Sequence, residues 1–180
     1  MNGRAVLLVA ALVVLAGCLT GTPNGGNGTD TTGTQTTTSH TTTDVEENVS
    51  AAFVVDGNRT AVTLEVADEP GERQSGLMYR QSLPRNHGMV FVYGGADERT
   101  FWMKNTLIPL DIVFVSANGT VVSVAHADPE PNAADSELRQ YESGAPAKYV
   151  VEMRQGFANR TGVEPGTRLV FDGGPPTTEG

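Results

Sequence analysis

Between Thr100 and Val115 the chain reads Thr-Phe-Trp-Met-Lys-Asn-Thr-Leu-Ile-Pro-Leu-Asp-Ile-Val-Phe-Val, which sets the only tryptophan, a lysine, an asparagine and an aspartate among aromatic and β-branched residues. Lys104 and Asp111 would each lose hydration if this strand-forming sequence is buried. Each must therefore be paired, reach the surface along its own stem, or line a cleft. A cleft lined by Trp102, Lys104, Asn105 and Asp111 could hold a small ligand or a partner segment, with Lys104 meeting a carboxylate or phosphate and Asp111 serving as hydrogen-bond partner or acid/base group. The residue types mark a place to look and name no reaction.

Other chemistries lack their residues. The folded part contains no Gly-x-Ser-x-Gly, no Ser-x-x-Lys and no cysteine with a histidine partner. It also carries no phosphate loop, dinucleotide fingerprint or zinc spacing, so no cofactor is expected. Met78, Met89 and Met103, with His87 nearby, could form a soft Cu(I) site, but methionine fills core gaps as readily. A copper electron-transfer centre would need a thiolate, and the only cysteine is Cys18, so no metal site is expected. His87 lies in a loop and should be solvated. His126, on a strand, could reach a cleft but reads better as a satisfied structural histidine.

The elements that must position these residues follow from periodicity and turn chemistry. Ala51 to Val55 and Ala61 to Ala67 flank Asp56-Gly57-Asn58 as a hairpin, and Asp68 to Met78 begins as a short helix with acids in its first turn. Gly88 to Tyr93, Thr100 to Lys104 and Leu110 to Val115 read as strands. Asn118-Gly119 is a two-residue turn with Val121 to Ala127 as its return strand. The proline-bearing stretch from Asp128 to Ser143 is a loop able to border a site. Lys148 to Met153 is a strand, Gly156 to Gly162 a turn of helix, and Arg168 to Phe171 the closing strand. The expected fold is mainly β (α+β): a compact β-sandwich or half-open barrel of about seven or eight strands with one or two short helices.

Ahead of this domain, Arg4, an apolar run from Ala5 to Ala16 and then Gly17-Cys18 have the layout of a secretory signal, too short to span a bilayer comfortably. Leu15-Ala16-Gly17-Cys18 resembles a lipobox, which would make Cys18 a lipidated first residue and tether the protein to the outer face of the cell membrane. Residues 19–50 are a Thr/Gly-rich stalk that cannot bury enough apolar surface to fold, residues 51–172 form one domain, and 173–180 are a tail. Asn27, Asn48, Asn58, Asn118 and Asn159 begin Asn-x-Ser/Thr sequons, which a Thr- and Asn-rich chain also produces by chance. The 21 acids outweigh 12 bases, only Lys104 and Lys148 of which are lysines, for a formal charge of -9. That surface suits a halophilic archaeon, where salt screens the self-repulsion, and it argues against nucleic-acid binding.

The blocks Glu72-Arg73-Gln74-Ser75-Gly76-Leu77-Met78-Tyr79-Arg80, Gly88-Met89-Val90-Phe91-Val92, Phe101-Trp102-Met103-Lys104-Asn105-Thr106, Ile108-Pro109-Leu110-Asp111 and Ala145-Pro146-Ala147-Lys148-Tyr149-Val150-Val151-Glu152 resemble the family known as domain of unknown function 192. The resemblance implies a compact, mainly β domain, often exported and sometimes lipid-anchored, with no established activity. Glu72, Arg73, Arg80, Lys104, Asn105, Asp111 and Glu152 are the polar residues inside these blocks. Arg80, Trp102, Lys104, Asn105, Asp111 and Glu152 are thus the candidate ligand-binding set. The plain alternative is that they form ion pairs stitching the helix to the sheet. Two functions remain open: a non-enzymatic envelope binding module for a small ligand or envelope partner, or a cell-surface enzyme with Asp111 or Glu152 as acid/base and Lys104 or Arg80 as electrostatic stabiliser.

Overall fold

A computed structural model describes residues 47–178; the expected signal segment, Cys18 and most of the stalk lie outside the described residues. The first strand, β1 (Asn48–Val55), turns through Asp56 and Gly57, at φ 49° and 80°, into β2 (Asn58–Ala67). Two successive left-handed residues give the twist that an antiparallel hairpin requires. Helix α1 (Pro70–Ser75) starts on a proline, whose missing N–H is no loss there, and Glu72 Oε2 accepts the amides of Asp68 and Glu69. The chain then runs through β3 (His87–Asp97), β4 (Thr100–Phe101), β5 (Leu110–Val115), β6 (Val121–Ala127), β7 (Tyr141–Glu142), β8 (Ala147–Arg154), α2 (Phe157–Thr161) and β9 (Arg168–Phe171). The mainly β fold with two short helices is therefore the one adopted, with nine strands among the described residues, two of them only two residues long.

Seven strands form one mixed sheet in the order β6-β5-β8-β3-β2-β1-β9, and β4 pairs with β7 in a small second sheet. The β2–β3 pair is parallel, because α1 carries the chain back across the sheet; the remaining pairs are antiparallel. Strand β8 inserts between β3 and β5 and is hydrogen-bonded on both sides. The sheet does not close into a barrel, yet its edges meet at one end: Thr120 bridges Arg168, Leu169 N donates to Gly119 O at 2.8 Å and Val121 N to Thr167 O at 2.8 Å.

Because the sheet curls, its two faces differ. The enclosed face collects Phe53, Leu64, Val90, Val113, Tyr149 and Val151, drawn with their neighbours from every strand of the large sheet, and α2 plugs it with Phe157 and Ala158. The outer face carries Phe91, Leu110, Ile112, Phe114 and Val150, covered by Leu77 after α1, Met103, Ile108 and Tyr141. Met89 and Met103 are core residues of that second cluster. Strand side chains alternate between faces, so a position's parity decides which layer it enters.

Two local expectations change. Thr100 to Lys104 is not one strand: β4 ends at Phe101, Thr106 N bonds Met103 O at 3.1 Å, and Asn105 sits at φ 51°, so Lys104 lies in a turn. At Asn118-Gly119 only the glycine is left-handed, at φ 82°, because Asn118 Oδ1 accepts from Ser116 Oγ at 2.7 Å and Thr120 N at 3.1 Å. The turn is thus longer than two residues, and the register shifts between Phe114 and Val115. Of the expected sequons, Asn48, Asn58, Asn118 and Asn159 are exposed.

Asp111 faces the enclosed side and is completely buried. Its Oδ1 lies 2.6 Å from His126 Nδ1 on the neighbouring strand, and its Oδ2 accepts the Ala158 amide at 2.8 Å. The carboxylate thus ties β5, β6 and α2 together, and His126 is a satisfied structural histidine with a half-exposed ring. Replacing it strands a buried amide and an imidazole nitrogen, so Asp111→Ala should lower unfolding stability by about 3 kcal/mol. Urea midpoints at neutral pH test this; coincident curves for parent and variant would refute the tie. A Cβ on Gly88 would lie 2.3 Å from Glu152 O, a backbone atom, and 2.5 Å from Met153 Sδ. Gly88→Ala must therefore push β3 off β8 and cost about 2 kcal/mol in the same measurement.

Candidate functional site

Glu152 occupies the centre of the outer face. On β8 it stands opposite Met89 of β3 and Ile112 of β5, with 5% of its surface exposed. Its carboxyl borders a cavity of about 110 Å³ whose walls include Arg73, Tyr93, Phe101, Trp102 and Lys104. Among the described residues no side chain or amide bonds this carboxyl, and no sealed polar side-chain atom lacks a partner. The Glu152 oxygens are accordingly the ones left in contact with the cavity space. Burial alone drives the Glu152 pKa from 4.5 up to about 8, so at neutral pH the group is mostly the neutral acid, a donor as well as an acceptor.

The cations around it are anchored elsewhere. Arg73 on α1 donates from Nη1 to Val92 O at 3.1 Å and also to Asp68 O, which pins the helix to β3. Arg99 gives Nε to Ala147 O at 3.2 Å and Nη2 to Gly95 O at 2.7 Å. Both guanidiniums stand over the Tyr93 ring, at 3.8 Å for Arg99 and 5.3 Å for Arg73. Burial holds the Tyr93 hydroxyl above its ordinary pKa, opposed by Arg99 and Arg73 and reinforced by Glu152. Lys104 lies 5.5 Å from the Trp102 ring and pairs with Asp135 in the 3-10 turn Asp135–Glu137. Trp102 itself is 44% exposed, at the mouth of the cavity.

Three of the six candidates, Trp102, Lys104 and Glu152, thus meet in one cavity. The other three do not join them. Arg80 pairs with Glu65 of β2 at 2.5 Å and lines a separate pocket beside α1. Asn105 is exposed, its carbonyl accepts the Tyr79 amide at 2.9 Å, and its side-chain amide reaches only the Met78 sulfur at 3.9 Å. Asp111 lies on the opposite face, since it stands across from Met153 while Glu152 stands across from Ile112. The candidate set missed Tyr93 and Arg73, which line the cavity, and Arg99, which stands over the Tyr93 ring outside it. The signal for Tyr93 was available in β3, where Met89, Phe91 and Tyr93 share the parity that faces Glu152.

Chemically, the cavity offers one neutral carboxylic acid under aromatic walls, with Arg73 and Lys104 in the lining but bonded elsewhere. That set can donate a hydrogen bond to a carbonyl or carboxylate and stack a flat apolar body. It lacks a second free carboxylate for paired acid/base work, because Asp111 is committed on the far side of the sheet.

Comparison with known proteins identifies a family and names no activity. The sequence matches the DUF192 family model, described as "Uncharacterized ACR", over residues 51–171. No curated protein matches it. A crystal structure from Sinorhizobium meliloti 1021, described as a candidate transcription regulator, superposes with a TM-score of 0.64 at 34% identity, covering 70% of this chain and 95% of that one. A protein of unknown function from Novosphingobium aromaticivorans DSM 12444 gives 0.59 at 33% identity, covering 68% and 84%. With the family model spanning all of the folded sheet but the first three residues of β1, the chain belongs to the DUF192 family.

Proposed function

We propose that the protein is a non-enzymatic binding module, exported and lipid-tethered through Cys18 in a halophilic archaeon, whose Glu152 cavity holds a small ligand. The observation that carries this reading is a buried carboxyl left unbonded and turned to an aromatic-walled cavity. The oxygens touch the cavity space and are not tied to a protein partner, which leaves them available to a ligand. The small volume fits a ligand of a few heavy atoms, and the protonated Glu152 carboxyl, as a donor, suits a carbonyl or carboxylate acceptor. The enzyme alternative draws on the Glu152 pKa near neutrality, which suits proton transfer. It is the weaker reading, because the guanidiniums of Arg73 and Arg99 donate to backbone carbonyls and Lys104 is paired with Asp135.

Native mass spectrometry of the full chain isolated from its own cells tests the proposal. A bound small mass should be present in the parent, persist in Glu152→Gln, which keeps a neutral donor, and vanish in Glu152→Leu. A clean apo mass for the parent would overturn the reading. Proton linkage gives a second check. With its folded-state pKa raised from 4.5 to about 8, Glu152 holds its proton more tightly folded than unfolded. Its contribution to stability is complete below pH 4.5 and lost as pH rises to about 8. At about 1.4 kcal/mol per pKa unit the loss is on the order of a few kcal/mol. Melting of Glu152→Gln should lack that part of the decline between about pH 5 and pH 8.5; parallel profiles for parent and variant would contradict it.

A further inference from the structure

We propose that the pocket between the Arg85–Asn86 loop, the end of β8 and α2 is an anion site that takes a phosphate group, with Arg85, Arg154 and Arg160 as its cationic donors. The pocket has a volume of about 360 Å³, those three arginines line it, and no acidic residue does. In a chain of 21 acids and 12 bases that is an uneven distribution of charge. Four arginines elsewhere in the fold are committed, Arg59 to Asp172, Arg80 to Glu65, and Arg73 and Arg99 to backbone carbonyls, while Arg139 and Arg168 stand singly, away from this pocket. In the pocket, the side chains of Arg85 and Arg154 have no hydrogen-bond or ion-pair partner among the described residues. Arg160 commits only Nη1, to Gly156 O at 3.1 Å, while its guanidinium carbon stands 5.8 Å from the Phe157 ring centre. The neighbouring acid Asp128 accepts the Gln155 side-chain amide at 3.1 Å.

Three guanidiniums held around one pocket repel one another, and an anion between them removes that penalty. Their supports are ordered by backbone bonds. His87 N to Pro84 O at 3.2 Å closes the loop that carries Arg85, and Gln155 N to Pro109 O at 3.0 Å fixes the chain beside Arg154. Left-handed Gly156 and Gly162, at φ 84° and 74°, bound the helix that carries Arg160. The donor count selects the ligand. Each guanidinium is a planar fork, and three forks exceed what the two oxygens of a carboxylate accept, whereas a phosphate spreads its charge over more oxygens. Phe157 supplies an apolar floor for whatever the phosphate carries. Free phosphate and a phospholipid headgroup share this chemistry.

The test is an NMR titration of the full chain with inorganic phosphate at low ionic strength, following the arginine Nε–Hε signals, with chloride at matched ionic strength as reference. Saturable shifts confined to Arg85, Arg154 and Arg160 are expected. Arg154→Gln and, independently, Arg160→Gln should each weaken binding about tenfold, while Arg59→Gln leaves it unchanged. Both pocket arginines are exposed, so unchanged melting temperatures will show that the variants fold. Absence of saturation below about 10 mM phosphate, equal shifts with chloride, or parent-like binding by the Arg154/Arg160 double variant would each overturn the site. A parallel titration with soluble glycerophosphoglycerol separates the sources: tighter binding than phosphate identifies a lipid headgroup, and weaker binding a soluble phosphate.

Discussion

Strand β8 is the constraint on which the molecule depends. It is hydrogen-bonded to β3 on one side and β5 on the other, and covered on both faces, so no position along it can choose its own environment. Tyr149, Val151 and Met153 fall on the enclosed side by parity, and Val150 and Glu152 on the outer side. A glutamate in this register is therefore forced into a dehydrated layer. It responds by keeping its proton, as a carboxyl without a counter-ion must. At the end of β8 the burial ends, and its last residue, Arg154, emerges into the arginine-lined pocket.

The outer layer that dehydrates Glu152 is held by aromatic contacts rather than by regular structure. Phe101 meets Phe91 edge-on, with centroids 4.9 Å apart at 88°, and Phe114 at 5.9 Å and 84°. Edge-to-face rings of this kind contribute about 0.5–1.5 kcal/mol beyond the area they bury. They dock the two-residue strand β4 onto the sheet, and Trp102 and Lys104 follow it to the cavity mouth. Arg73 secures the opposite wall by bonding α1 to β3. The site is thus built from short elements tied to the large sheet by a few specific contacts.

Period-two patterning made the strands legible, and the six longest of them lie where alternation and turn residues place them. Topology was harder. Nothing in local sequence says that β8 pairs between β3 and β5, since those pairings join residues about sixty positions apart on one side and about forty on the other, and depend on which faces remain to be covered. The parallel β2–β3 pair follows from the position of α1, a six-residue helix with no buried residues of its own. The site suffered from the same gap. Lys104 and Trp102 are close in sequence and stay together, but Asp111 and Glu152 could be assigned to opposite faces only once the β5–β8 register was known. Asp111 in an apolar strand drew attention for its burial, and its role is to join two strands and a helix.

The backbone beside the cavity also departs from what its residue types prefer. Tyr79 is at φ 61° and Asn105 at φ 51°, and the two are joined by a bond from the Tyr79 amide to the Asn105 carbonyl at 2.9 Å. For asparagine that conformation is common; for an exposed tyrosine it costs on the order of 1 kcal/mol or more. The bond offsets part of this, because it closes the segment after α1 onto the turn after β4. Met78 and Lys104, the residues immediately before these two, both line the cavity. The strained pair therefore fixes where two walls end relative to each other. A relaxed backbone at position 79 would free the Met78 side of the cavity to move away from Lys104, and with it the walls that bury the Glu152 carboxyl.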